Sequence, residues 1–124
     1  SDWKSLVRAV VESVAYQSYD LFNSMKKDGL KPRIIKVDGG MVSNNWFSQF
    51  LSDIINLNVV RPRVLETTAL GVALFAGYQV GEFKSLNEIK HIWKKDRVFS
   101  PKLNKSLRNN LLQGWKVAIR KTLA

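Results

Sequence analysis

Between residues 33 and 60 the chain runs from a β-branched stretch through an amphipathic helix into a second β-branched stretch. Arg33-Ile34-Ile35-Lys36-Val37 follows Pro32 and stops at Asp38-Gly39-Gly40, which predicts a strand closed by a turn. From Val42 to Ile55, Val42, Trp46, Phe50 and Ile54 recur at helical spacing, and Phe47, Leu51 and Ile55 widen the stripe. Asn56 closes that helix, and Leu57-Asn58-Val59-Val60 predicts a short second strand ending at Arg61-Pro62. A helix between two strands is long enough to carry the chain back across a sheet, so the strands are expected to be parallel. The fold class read from this order is α/β.

The flanks extend the pattern. Residues 2–28 predict one long helix, with Trp3, Val7, Val10, Val14, Leu21 and Met25 on one face and Gln17 and Ser18 interrupting it. Ser1 or Asp2 is placed to cap its start and Gly29 to end it. That apolar face implies burial against a sheet or another helix. Residues 67–80, TTALGVALFAGYQV, predict a further helix, capped by Thr67 or Thr68 and stopped by Gly81. Its Ala69, Ala73, Ala76 and Gly77 share a face almost without side chains, which predicts tight helix–sheet packing or a ligand against the helix. Ser85 caps a short helix over 86–93, and Phe99-Ser100-Pro101 reads as a break. Asn104 then caps a last helix whose inner face is Leu107, Leu111, Trp115 and Ile119.

Composition narrows the function classes. The 124 residues suit one domain, and 45% are hydrophobic, enough to build a core. With no cysteine there is no disulfide, thiolate nucleophile or Cys-based metal site, which fits a reducing, cytoplasmic setting. No apolar run approaches the roughly 18 residues that a membrane-spanning helix needs. The net charge of +10 is uneven: residues 84–124 carry eleven basic and two acidic side chains, while 1–30 balance at four each. A basic face attracts nucleic acid, but this one lacks an aromatic-rich binding strand or a known motif. The solvated helical surface is therefore the favoured reading.

The chemistry-bearing stretch is Val37-Asp38-Gly39-Gly40-Met41-Val42-Ser43-Asn44-Asn45. Glycines between a strand and a helix allow positive φ and leave no Cβ in the way of a ligand. The helix beyond them opens with unpaired N–H groups that favour an anion such as phosphate. Asn44, one helical turn beyond Gly40, is expected above the same corner. Local physics alone favours a plain connector over a phosphate seat. Asp38 reads as a turn-stabilising residue more readily than as a catalytic carboxylate. Glu66-Thr67-Thr68-Ala69-Leu70-Gly71 is either a capped core helix or a second wall of the same pocket. Neither G-x-x-x-x-G-K-[ST] nor G-x-G-x-x-G occurs, and the single His91 supports neither a triad nor a multi-His metal site.

The order VDGGMVSNNWFSQFLSDI, NVVRP, ETTALGVALFAG resembles the C-terminal domain of the FGGY carbohydrate kinases. The blocks VGEFKSLNEI, DRVFSPKLN and LLQGWKVAIRKTL are similar to the glycerol-kinase branch of that family. The resemblance implies a ribonuclease-H-like, actin-like ATPase domain, a short mixed sheet with packed helices, holding the adenosine side of ATP or ADP with Mg²⁺. By motif, Gly39 permits the turn, Gly40 presents its N–H to the nucleotide phosphate, and Asn44 contacts the nucleoside. The general-base Asp and the polyol-binding residues of the family lie outside the matched region, so no residue of this chain is expected to be catalytic. Leu6-Val7-Arg8-Ala9-Val10-Val11-Glu12 resembles the end of a family signature, with Ser5 where His, Asp, Glu, Asn or Gln is usual. Residues 1–124 are thus expected to form a single domain of a larger kinase, shortened at its N-terminus and inactive alone. The missing N-terminal domain is its expected partner, and self-association through uncovered apolar surface is expected too. Another sugar kinase of the same family, a non-catalytic remnant and a basic nucleic-acid-binding module remain the alternatives.

Overall fold

The computed structural model describes residues 2–124. Its order is α1 (Trp3–Lys27), β1 (Ile34–Lys36), a 3-10 turn (Gly40–Ser43), α2 (Asn45–Ile55), β2 (Asn58–Pro62), α3 (Thr67–Gln79), α4 (Leu86–Ile92), β3 (Lys95–Phe99) and α5 (Lys105–Leu123). β1 and β2 pair in parallel with α2 as the crossover, as the strand–helix–strand order requires. β3 joins the far side of β2 in the antiparallel sense, so the sheet is mixed, in the order β1-β2-β3. β3 has no counterpart in the sequence reading. KDRVF carries three charges in five residues, and four of the five side chains are exposed. Edge strands of that kind lack the apolar alternation that marks a strand.

The core forms around α2. Phe47, Phe50, Leu51, Ile54 and Ile55 are buried, and Ile35, Val59 and Phe99, in register on the three strands, meet them from the sheet. α1 and α5 close the other side. The Tyr16 ring lies edge-on to Phe50 (centroids 5.7 Å apart) and stacks on Trp115 (5.4 Å). The Trp115 indole N–H donates to Asp20 at 2.7 Å. Burial pushes the Tyr16 hydroxyl up to about 12, and the nearby Glu12 carboxylate adds to the shift.

Three packing expectations need correction. The long α1 stripe is not the buried face: Trp3, Val7, Val10, Leu21 and Met25 are exposed, while Ala15 and Tyr16 are buried with Val11, Val14, Tyr19 and Phe22 against them. The apolar residues of α1 cover much of its circumference, so spacing alone picked the wrong strip. On α5, Leu111 and Trp115 of the expected inner face pack against the core, but the buried residue is Leu112, while Leu107 is half exposed and Ile119 is 37% exposed. The small-residue face of α3 does not press on the sheet, and no residue of α3 is buried. Gly77 is instead filled by Phe83, whose ring comes within 2.7 Å of where a Cβ would stand. Asp2 caps α1 by accepting from the Ser5 N–H, and the Ser1 alternative lies outside the described residues.

Candidate functional site

The C-terminal ends of β1 and β2 point the same way, and the chain leaves each through a tight corner. After β1, Gly39 takes φ +91°, a conformation that a side chain would strain. Gly40 is different. Its φ lies outside the left-handed region, and a Cβ added to it would meet nothing within 4 Å. Gly71 and Gly114 are open in the same way, and what sets Gly40 apart is its place in the corner after β1.

The helix after the corner starts later than the sequence predicts. Gly40–Ser43 form a 3-10 turn, and Asn44 is the extended N-cap of α2 rather than a residue one α-turn along it. The Asn44 side-chain oxygen accepts from the Trp46 N–H (2.9 Å) and the Phe47 N–H (3.2 Å). Its amide NH₂ is left to donate outward. Asn44 also borders a groove of about 340 Å³ lined by Trp3, Val7, Arg8 and Trp46.

The turn's carbonyls are held from behind. Ser43 Oγ donates to Gly40 O at 2.6 Å, and Ser48 Oγ donates to Val42 O at 2.9 Å. Arg61 Nη1 donates to Val42 O (2.9 Å), Ser43 O (3.1 Å) and Asn45 Oδ1 (2.9 Å). Arg61 Nε and Nη2 donate to Asp96 Oδ2 at 2.9 and 2.6 Å. The sequence alone places Arg61 only at the end of a strand. Its signal was present: a lone arginine on the α2 side of an otherwise apolar strand is buried only when its donors are used.

The second corner meets the first. The Gly39 N–H donates to Leu65 O at 3.3 Å, and the Thr67 hydroxyl donates to the Asp38 carboxylate. Thr67 therefore does not cap α3. Glu66 occupies the cap position and makes no side-chain cap bond. Asp38 spends its carboxylate across the gap rather than on its own turn. Lys36, Asp38, Pro62, Thr67 and Trp93 enclose a recess of about 120 Å³ there, with the Lys36 ammonium 4.0 Å from the Trp93 ring centre. His91 is exposed and lines a separate cavity with Arg63, Leu70 and Trp93. Of the basic side chains in 84–124, only Arg108 is part-buried, bonded to the Asn56 side chain at 2.8 Å.

Residues 1–80 match the C-terminal domain of the FGGY family of carbohydrate kinases. The chain belongs to that family. It is 50% identical over 119 residues to a glycerol kinase of Gluconobacter oxydans and 48% identical over 114 residues to one of Alteromonas mediterranea. These alignments cover 95% and 92% of this chain and 23% of each relative, so the chain spans about a quarter of the length of the glycerol kinases it matches. The crystal structure of Plasmodium falciparum glycerol kinase with ADP superimposes with a TM-score of 0.79 at 35% identity, over 95% of this chain and 24% of that one. A xylulose kinase of Lactobacillus acidophilus, at 24% identity, shares the fold with a TM-score of 0.75. The actin-like ATPase fold expected from the sequence is the one the chain adopts. Among the described residues no helix is long and apolar enough to cross a membrane.

Proposed function

We propose that this chain is the nucleotide-binding C-terminal portion of a glycerol kinase, with the Gly39–Asn44 corner as the seat for ATP or ADP. The observation that carries the reading is the glycine corner at the end of β1, where Gly39 takes φ +91° and Gly40 leaves its backbone open, in a chain 50% identical to a glycerol kinase over 119 residues. A backbone N–H there can approach a phosphate oxygen without a Cβ between them. Asn44 keeps its NH₂ free to donate to the nucleoside because its oxygen is committed to α2. The corner after β2, tied on by Thr67 and Leu65, fixes the position of Asp38 and Gly39.

Bound ATP supplies the γ-phosphoryl group for transfer to a primary hydroxyl of glycerol, with the hydroxyl proton passing to a carboxylate. By the family resemblance, that carboxylate and the polyol-binding residues lie upstream of the matched region, in the part of the kinase with which this chain would pair. Mg²⁺ finds no cage here: among the described residues no three His, Asp or Glu side chains gather. The ion would be held through the nucleotide phosphates and the partner domain.

A chimera tests the reading. This chain replaces the matching C-terminal quarter of the Gluconobacter oxydans glycerol kinase, and glycerol-dependent ADP release is measured. The expected result is turnover that Gly40→Val abolishes. A chimera that melts cooperatively yet turns over no glycerol would overturn the proposal and favour a non-catalytic remnant.

A further inference from the structure

Arg61 is 9% exposed and sits on β2 rather than in the corner itself. Val59 and Arg61 alternate onto the same face, so the guanidinium points toward α2 and lies 5.2 Å from the Phe99 ring centre. Its partner depends on an irregularity. Arg61 pairs with Arg97 and Pro62 with Lys95, which leaves Asp96 as the extra residue of a bulge on β3. Proline has no N–H for the ladder, which is where a bulge is tolerated, and a bulge re-aims a side chain. Here the re-aimed side chain is the Asp96 carboxylate, which takes two of the guanidinium's donors. With that side of the fork fixed, Nη1 is aimed at the Val42 and Ser43 carbonyls and the Asn45 amide. All three lie within the segment from Gly39 to the first residue of α2.

We infer that Arg61 and Asp96 form a positioning device for the nucleotide corner, holding its carbonyls toward the sheet so that Gly40 and Asn44 stay aimed at the nucleotide. The inference rests on the nucleotide reading given above. A planar guanidinium can bond two successive carbonyls, a side-chain amide and a carboxylate at once, whereas a lysine ammonium has three donors on a flexible stem. Arg61→Lys therefore keeps the charge and loses the geometry. Asp96→Asn keeps the shape and removes the charge that orients the fork.

Amide hydrogen exchange and ADP titration, followed by NMR on the 124-residue chain, read the corner and the core separately. In Arg61→Lys the expected result is exchange at Ser43 and Asn44 faster by about tenfold, with Ala15 and Ile54 unchanged and the half-saturating ADP concentration raised by about tenfold. Asp96→Asn, the milder variant, should move the same amides in the same direction. Unchanged corner exchange in both folded variants would overturn the inference, as would a uniform loss of protection across corner and core. If the unmodified chain shows no ADP response while the corner still loosens in both variants, the bracing of the corner stands and the nucleotide reading is decided by the chimera, since this chain spans only 23% of the matched kinase.

Discussion

α2 and α3 follow the two parallel strands in the same way, each leaving the same end of the sheet through a tight corner, yet they end in opposite environments. Eight of the eleven residues of α2 are buried, and none of the thirteen of α3 is. α2 carries an apolar stripe that fixes its rotation, and only Asn45 and Trp46, at its start, are exposed. It also carries buried polar groups that bind it to its surroundings. Ser52 donates to Leu57 O and Phe99 O, and Asp53 accepts from the Lys102 and Leu103 N–H groups. α3 is apolar on every side, so no single face is specified. Val72, Phe75, Tyr78 and Val80 are left exposed. Local apolarity therefore says that a helix is to be covered, while only directional polar bonds and a narrow stripe say by what.

The largest expected effect separates the two helices. Ile54→Ala removes a fully buried side chain and should cost about 3–4 kcal/mol in urea unfolding. Phe75→Ala should stay within about 0.5 kcal/mol although the deleted side chain is larger. A loss above about 2 kcal/mol at Phe75 would mean that α3 is covered in solution and would break the comparison.

A smaller effect divides structure from function within the corner. Asn44→Ala removes the α2 cap and should cost about 1 kcal/mol. Asn44→Asp restores the accepting oxygen, so its stability should return to within about 0.5 kcal/mol of the original. It replaces the NH₂ with an acceptor, so ADP affinity should stay low. Equal ADP affinity in Asn44→Asp and the unmodified chain would confine Asn44 to capping.

The smallest effect is a pH dependence on the buried side of the molecule. The Tyr16 hydroxyl is raised from its ordinary value of 10 to about 12 in the fold. The unfolded chain then releases that proton first. The stabilisation is complete below about pH 10 and is lost as pH rises toward 12. Melting temperature should fall over that window, and Tyr16→Phe should fall less steeply. Parallel curves for the two proteins would remove Tyr16 as the cause.

Much of this was legible in the residues. The strand–helix–strand order and the glycine corner follow from period and turn chemistry, and both stand in the structure. What failed shares a cause. β3 is a charged edge strand whose pairing depends on β2, 35 positions away through the Arg61–Asp96 contact. The buried face of α1, the cover of α5 and the exposure of α3 depend equally on partners distant in sequence. Within the site, Gly39 was readable because positive φ is a local demand. The capping role of Asn44 was missed because a helix was assumed to start at Val42, and a 3-10 turn displaced that start by three residues. Arg61 was missed because its use lies in the segment it holds.

The most direct measurement is a titration of the ¹⁵N-labelled chain with ADP and Mg²⁺. The account predicts saturable shifts centred on Gly39, Gly40 and Asn44, abolished in Gly40→Val while the core amides stay in place. Shifts confined to residues 84–124, or a response that survives Gly40→Val unchanged, would contradict it.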